Sequence, residues 1–472
     1  MRFISLKIGF VLSIVYFVVY YLTPMTLFGP LAQFRVEMIL ALLILLVSLP
    51  SIPGSFVLKT PQSLALIGLA CVVFLSVLFE ERWVGGALHG FLKFIPSIYA
   101  YFLVCLHCNS RRKVKIVVVM TMFICLFVIA QGTLDLRSGV PQSGPAISTS
   151  TGSVDQRLWS MQHPYLLAMK NDTGQWVYRL RGQGSINDPN DFGQVLVCAI
   201  PLLFILWRPK RKLANLTCVI LPVCVLLIGV YLTHSRGALL ALTAVALVAA
   251  RRRFGTLAGL ILAGGLFVGA MALHFTGGRE ISAQSGSDRS ELWSAGLTLL
   301  KTHPLFGVGF NQFMQHERNT AHNSVVVCAA EVGLIGFYFW SVFLYSTVRS
   351  VGMIARPGKV GEAQLPSPQV TMFPQAADKI EPIAKSEIIH LGHCLSLSLI
   401  GFLVAGWFLS RAFVTTFFLL GGMIEVAYEM ARRQRMVPPR LPLSRVLMWA
   451  LAVMVGLLLL VYVMLRVLNL MR

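Results

Sequence analysis

Apolar residues along the chain gather into thirteen runs, near 8–29, 36–52, 62–79, 87–106, 114–134, 191–207, 213–233, 237–250, 255–275, 323–347, 388–409, 412–431 and 445–466. Most approach the roughly twenty residues that a helix rising about 1.5 Å per residue needs to cross a bilayer. The polar connections differ in charge. Every second one is basic: Lys59, Arg111-Arg112-Lys113 with Lys115, Arg208 to Lys212, Arg251-Arg252-Arg253, the segment 348–386, and Arg432 to Arg445, with Arg2 and Lys7 at the N-terminus. Lys and Arg accumulate on the cytoplasmic side of membrane proteins, so this alternation sets the orientation. Thirteen spans leave Arg466 and Arg472 outside, whereas twelve bring the C-terminus inside. Runs 388–409 and 412–431, parted by Ser410-Arg411, are read as a tight hairpin or a re-entrant pair.

The expected fold is therefore an all-α polytopic membrane protein with about 12–13 transmembrane helices. Its segments are N-terminal membrane helices (1–134), an external loop (135–190), core helices (191–275), a large external loop (276–322) and a further core helix (323–347). A cytoplasmic linker (348–386, with Pro357, Gly358, Pro366, Pro368, Pro374 and Pro382) and C-terminal helices (387–472) complete it.

Composition agrees. The 472 residues are 56% hydrophobic and 12% charged, with mean hydropathy +0.74, which excludes a soluble globular domain. A net charge of +21 would suggest nucleic acid in a soluble protein. Here it lies in membrane-flanking clusters, so no nucleic-acid partner is expected. Cys71, Cys125, Cys198, Cys218, Cys224, Cys328 and Cys394 sit within apolar runs as small hydrophobes. Cys105 and Cys108 form a C-x-x-C around His107 without a second ligand pair at zinc-finger spacing.

The polar residues that are left gather on the external side in three segments. One holds Arg179 and Arg181, then Asn187-Asp188-Pro189-Asn190-Asp191 before a span. The second is Thr233-His234-Ser235-Arg236-Gly237. The third runs from Asp288-Arg289 past Trp293 and His303 to His322. Arginine forks hold anions and imidazole moves protons near neutral pH, so the pattern suits proton chemistry beside a bound anion. Structural readings stand next to the chemical ones. Asp188-Pro189 has the form of a capped helix start, and Arg236 could snorkel at the interface. Arg179 and Arg181 could solvate a loop, Arg289 could pair with a neighbouring carboxylate, and Glu331 could serve only as a hydrogen-bonded group in the bundle. His322 and Gly333, eleven residues apart, are placed on one helix face. His234, His303 and His316 lack a partner pattern. No spacing of His, Asp and Glu suggests a metal site, and neither metal nor cofactor is expected.

Four motifs run in order through residues 180–340. Gly182-Gln-Gly-Ser-Ile-Asn-Asp-Pro-Asn190 is similar to G-x-F-x-x-P-N, with Gly-Ser-Ile where an aromatic is common. Arg236 to Leu240 fits R-x3-L. Arg289 to Phe310 is similar to R-x3-W followed by HP-x-x-G-x-G-x-x-F, and His322 to Gly333 fits H-x10-G. Together they resemble the O-antigen ligase and O-antigen polymerase superfamily of bacterial inner-membrane enzymes. The resemblance implies a GT-C type fold with a periplasmic site that transfers a glycan from undecaprenyl diphosphate. The acceptor would be a hydroxyl of lipid A-core in a ligase, of another lipid-linked repeat unit in a polymerase, or of a Ser or Thr in a protein O-oligosaccharyltransferase. It implies His322 as base and Arg236, Arg181 and Arg289 on the diphosphate; Asn323, Glu331, Arg179 and Asn190 are the supporting candidates among the neighbouring residues. A lipid-linked glycan flippase is the reading from a different class.

Overall fold

All thirteen runs form helices in the computed structural model, which describes residues 2–23, 36–53, 55–138, 140, 159, 161–277, 283–356 and 384–470, the side chains of 2–5, 283–288 and 469–470 excepted. The first five helices are α1 (Arg2–Leu22), α2 (Val36–Ser48), α3 (Pro61–Glu81), α4 (Val84–His107) and α5 (Arg111–Arg137). Next come α6 (Pro189–Leu203), α7 (Lys212–Leu232), α8 (Arg236–Phe254) and α9 (Thr256–Ala272). A fourteenth helix, α10 (Ala283–Thr302), arises outside the apolar runs, and α11 (Ser324–Ala355), α12 (Lys385–Trp407), α13 (Thr415–Arg433) and α14 (Leu443–Leu470) follow.

Eight are long and apolar enough to cross a membrane: α3, α4, α5, α6 with its extension to Leu206, α7, α11, α12 and α14. The apolar segments Leu6–Leu22, Val36–Ser51 and Thr256–Ala272 are shorter. The chain is an all-α polytopic membrane protein. Leu257, Ile261 and Val268 on α9 and Leu451, Leu459 and Val463 on α14 are exposed apolar residues, as lipid-facing helices require. The opposite extreme is α13, buried from Thr415 to Ala431. Its Phe417 and Phe418 pack edge-on to Phe343 of α11, and Phe402 of α12 stacks on Phe417 at 4.9 Å.

Contacts between helix ends sort the molecule into two faces. On one, Arg111 pairs with Glu387, Arg252 bonds Ser396 and Arg440 pairs with Glu425. This face carries the basic connections. Here Cys105 and Cys108 are buried thiols, and His107 bonds Ser48. On the other face, Thr23 meets Gln183, Arg179 meets Thr233, Asn323 meets Trp407, and Arg411 pairs with Asp191.

Several expectations change. The loop 135–190 contains an antiparallel hairpin, β1 (Leu166–Lys170) and β2 (Trp176–Leu180), and residues 139, 141–158 and 160 lie outside the described residues. The loop 276–322 holds α10. Residues 348–355 extend α11 instead of opening the linker, and 385–386 begin α12. The rest of that linker, 357–383, lies outside the described residues. Residues 388–409 and 412–431 form two separate helices, α12 and α13, rather than a re-entrant pair.

His322 and Gly333 do not share a helix face. His322 precedes the helix, with φ +50°, and Asn323 caps it. Gly333 breaks it, with φ +63° and ψ −170°. A Cβ at Gly333 would stand 2.4 Å from the carbonyl oxygen of Leu305. The break lets the segment 304–309 lie against α11. Leu334 N–H donates to Pro304 at 2.8 Å, Val308 N–H to Ala330 at 2.9 Å and Gly309 N–H to Glu331 at 3.0 Å. The glycines of two motifs are thus one packing device, needed wherever backbone meets backbone this closely.

Candidate functional site

The second face gathers the chemistry at helix ends. Asp188 starts α6, its carboxylate accepting the Asn190 N–H at 2.8 Å, and Pro189 fills the first helical position, where a missing N–H costs nothing. Ser235 caps α8 by accepting from Ala238, which leaves Arg236 as its first residue. On α10, Trp293 donates its indole N–H to the Ala321 carbonyl at 2.9 Å, and its ring lies edge-on to Trp407 at 6.0 Å. Arg289 is one turn earlier on the same helix, 5.9 Å from the centre of the Phe408 ring. The R-x3-W spacing thus ties the His322 turn to α10 and places a guanidinium beside it.

His322 is half-buried and left-handed, a conformation costing of order 1–3 kcal/mol in a non-glycine residue. Its neighbours hold it there. Asn323, fully buried, accepts from Val325 at 2.9 Å and Val326 at 3.1 Å and donates to the Trp407 carbonyl at 3.1 Å. Burial and then the charge of Arg289 keep the imidazole below its ordinary 6.5. Asp188 pulls the other way, and Arg411 adds to the lowering. The ring is therefore neutral at neutral pH and able to accept a proton. Arg289 is itself disfavoured as a cation by burial and by Arg236. Guanidiniums stay protonated, so the cluster is an electrostatic seat for an anion.

Arg236, Arg289 and His322 are thus brought together. Arg181 joins through Asp188, whose charge supports it against the cost of burial. Its backbone N–H donates to Tyr165 at 2.9 Å, and its buried Nε has no hydrogen-bond partner among the described residues.

The remaining candidates are placed as supports. Arg179, 4% exposed, donates to the Thr233 carbonyl at 2.8 Å and to Asn190 at 2.9 Å, tying β2 to α6 and α7. Glu331 is buried and accepts N–H groups from Asn311 and Phe313, fastening the segment after Gly309. The second-rank histidines stand elsewhere: His303 and His316 lie 3.6 and 3.9 Å from Glu80, and His234 bonds Phe275 at 2.8 Å.

Sequence reasoning missed the segment between α12 and α13. Ser324 Oγ donates to the Leu409 carbonyl at 2.7 Å and accepts the Arg411 N–H at 2.9 Å, Thr320 bonds Ser410, and Arg411 pairs with Asp191. A signal was available: Arg411 is basic on the side where the alternation of charge disfavours Lys and Arg.

Residues 221–341 match the family model described as O-antigen ligase. That stretch runs from α7 to the middle of α11 and includes Arg236, Arg289 and His322. No curated protein matches the chain.

Proposed function

We propose that this chain, which belongs to the O-antigen ligase and polymerase superfamily, transfers a glycan from undecaprenyl diphosphate to a hydroxyl acceptor, a sugar of lipid A-core in the ligase reading. The neutral His322 beside Arg289 and Arg236 carries this reading. The site faces the periplasm of a bacterial inner membrane, because the basic connections lie at the opposite helix ends.

His322 takes the acceptor hydroxyl's proton as that oxygen attacks the anomeric carbon. The new C–O bond forms while the bond from that carbon to the diphosphate oxygen breaks, so configuration inverts. Undecaprenyl diphosphate leaves with the bonding electron pair, and the imidazolium later returns its proton to solvent. Arg236, Arg289 and Arg181 stabilise the charge developing on the leaving group. Asp188, near both His322 and Arg181, favours the transient imidazolium. Arg179, Asn190, Asn323 and Glu331 hold these groups in place.

The test is transfer by the purified full chain in detergent, with an undecaprenyl-diphosphate glycan donor and either lipid A-core or a lipid-linked repeat unit as acceptor, with and without EDTA. Transfer to lipid A-core, abolished in His322→Ala, supports the ligase reading, and elongation of the lipid-linked unit identifies a polymerase instead. Undiminished transfer by a well-folded His322→Ala protein removes the base assignment. Donor binding without transfer to any acceptor favours a flippase.

A further inference from the structure

Arg411 lies outside the matched stretch and outside all four motifs, yet three bonds clamp its loop to the His322 turn. These are Asn323 to the Trp407 carbonyl, Ser324 to the Leu409 carbonyl, and the Arg411 N–H to Ser324. A fourth, from the Trp340 indole to the Ala412 carbonyl at 3.0 Å, fastens the loop's far side to α11. The side chain is then held separately. Asp191, in the first turn of α6 and only 5% exposed, takes the Nη2 edge of the guanidinium. Among the described residues, Nε and Nη1 have no side-chain partner, and about a third of the Arg411 side chain is exposed.

A guanidinium has five donors in a planar fork. A carboxylate on one edge fixes the plane and leaves another edge for a phosphate. The charged groups facing His322 are Arg289 on α10, Asp188 ahead of α6 and Arg411 between α12 and α13. Asn323 and Ser324, the two residues after His322, bond the Arg411 loop directly, so Arg411 and Arg289 both lie beside the His322 turn.

We propose that Arg411, oriented by the buried carboxylate of Asp191, supplies a further guanidinium edge to the diphosphate of the lipid-linked donor, with Asp191 as its positioning residue. The proposal rests on the transferase reading for the identity of the anion. It explains why a cation stands on the face where Lys and Arg are disfavoured, and why a carboxylate is buried with it. The backbone N–H of residue 411 makes the bond to Ser324, so side-chain substitutions leave that clamp intact.

The test measures transfer and its pH profile, together with binding of undecaprenyl diphosphate itself. The proteins are the wild-type full chain, Arg411→Gln, Arg411→Lys and Asp191→Asn, with the exposed Arg137→Gln as control. Arg411→Gln is expected to raise the donor KM and the Kd for undecaprenyl diphosphate at least tenfold, roughly one charged hydrogen bond. It should also move the acid limb of kcat/KM upward, because a cation beside His322 is gone. Arg411→Lys, which keeps the charge, should leave that limb in place while raising KM, because the fork is lost. Asp191→Asn should raise KM less than Arg411→Gln.

If wild type transfers glycan and Arg411→Gln changes neither donor affinity nor the acid limb, the proposal is overturned, even when kcat falls. If Arg411→Gln fails to fold, unchanged KM and Kd in Arg411→Lys overturn it. If wild type transfers nothing yet binds undecaprenyl diphosphate through Arg411, the transferase reading fails and the anion assignment stands.

Discussion

Two charged clusters sit at opposite ends of α13, and they are built on opposite principles. At its C-terminal end, Glu429 accepts both Arg432 donors at 2.9 Å and one from Arg433 at 3.2 Å. Glu425 takes the Gln62 amide at 2.8 Å and pairs with Arg440. These carboxylates are covered and matched by cations. At the N-terminal end, Arg289 and Arg411 face His322, Arg236 faces Arg289, Asp188 faces Arg181, and Asp191 pairs with Arg411. A closed network of opposite charges holds a fold together. A surplus of one sign, facing partly open space, is an unfinished interaction that an anionic substrate completes.

The contrast can be broken experimentally. Arg289→Gln should lower kcat/KM by about 10²–10³-fold, the usual consequence of deleting one preorganised donor to developing charge, with little change in thermal stability. Arg440→Met should do the reverse. It leaves Glu425 buried without its cation, at a cost of about 3 kcal/mol, seen as a lowered midpoint of thermal unfolding in detergent, with transfer per folded molecule retained. If Arg440→Met abolishes transfer in folded protein, the two ends are not functionally separate.

Smaller effects sharpen the comparison. Gly333→Ala forces a side chain into a positive-φ, extended-ψ conformation that essentially only glycine adopts, at about 1–3 kcal/mol, and drives a methyl group toward the Leu305 carbonyl. It should reduce both stability and transfer, because the break in α11 seats the segment that α10 shares with the site. The smallest effect concerns pH. The neutral form of His322 is the active one, and its folded value lies below 6.5. Activity should therefore persist as pH falls through 6.5 and be lost only lower, as the ring protonates. The acid limb of kcat/KM reports this for the free enzyme. In Arg289→Gln that limb should move up, because the second-largest cause of the lowering is removed. An acid limb above 6.5 in the wild-type protein contradicts this electrostatic account of the base.

The sequence by itself determined the helices and the inventory of the site. The thirteen apolar runs became helices, eight of them among the described residues long and apolar enough to cross a membrane, because in a bilayer a backbone with no water to bond must satisfy its own N–H and C=O groups. The alternation of basic connections told the two faces apart for the same local reason. Arg236, Arg289 and His322 were legible because each stands in a short motif whose spacing carries its own physics, Arg236 and His322 at helix starts and Arg289 one turn before Trp293.

Tertiary structure decided the rest. Nothing local says that Arg179 is spent on a carbonyl 54 residues away, or that Glu331 accepts the Phe313 N–H of the preceding loop. Nor does local sequence say that Gly333 breaks its helix to admit Leu305, or that Arg411 reaches back 220 residues to Asp191. Such pairings depend on which helix ends meet. That follows from the packing of α11, α12 and α13 as a whole, and short-range periodicity carries no record of it.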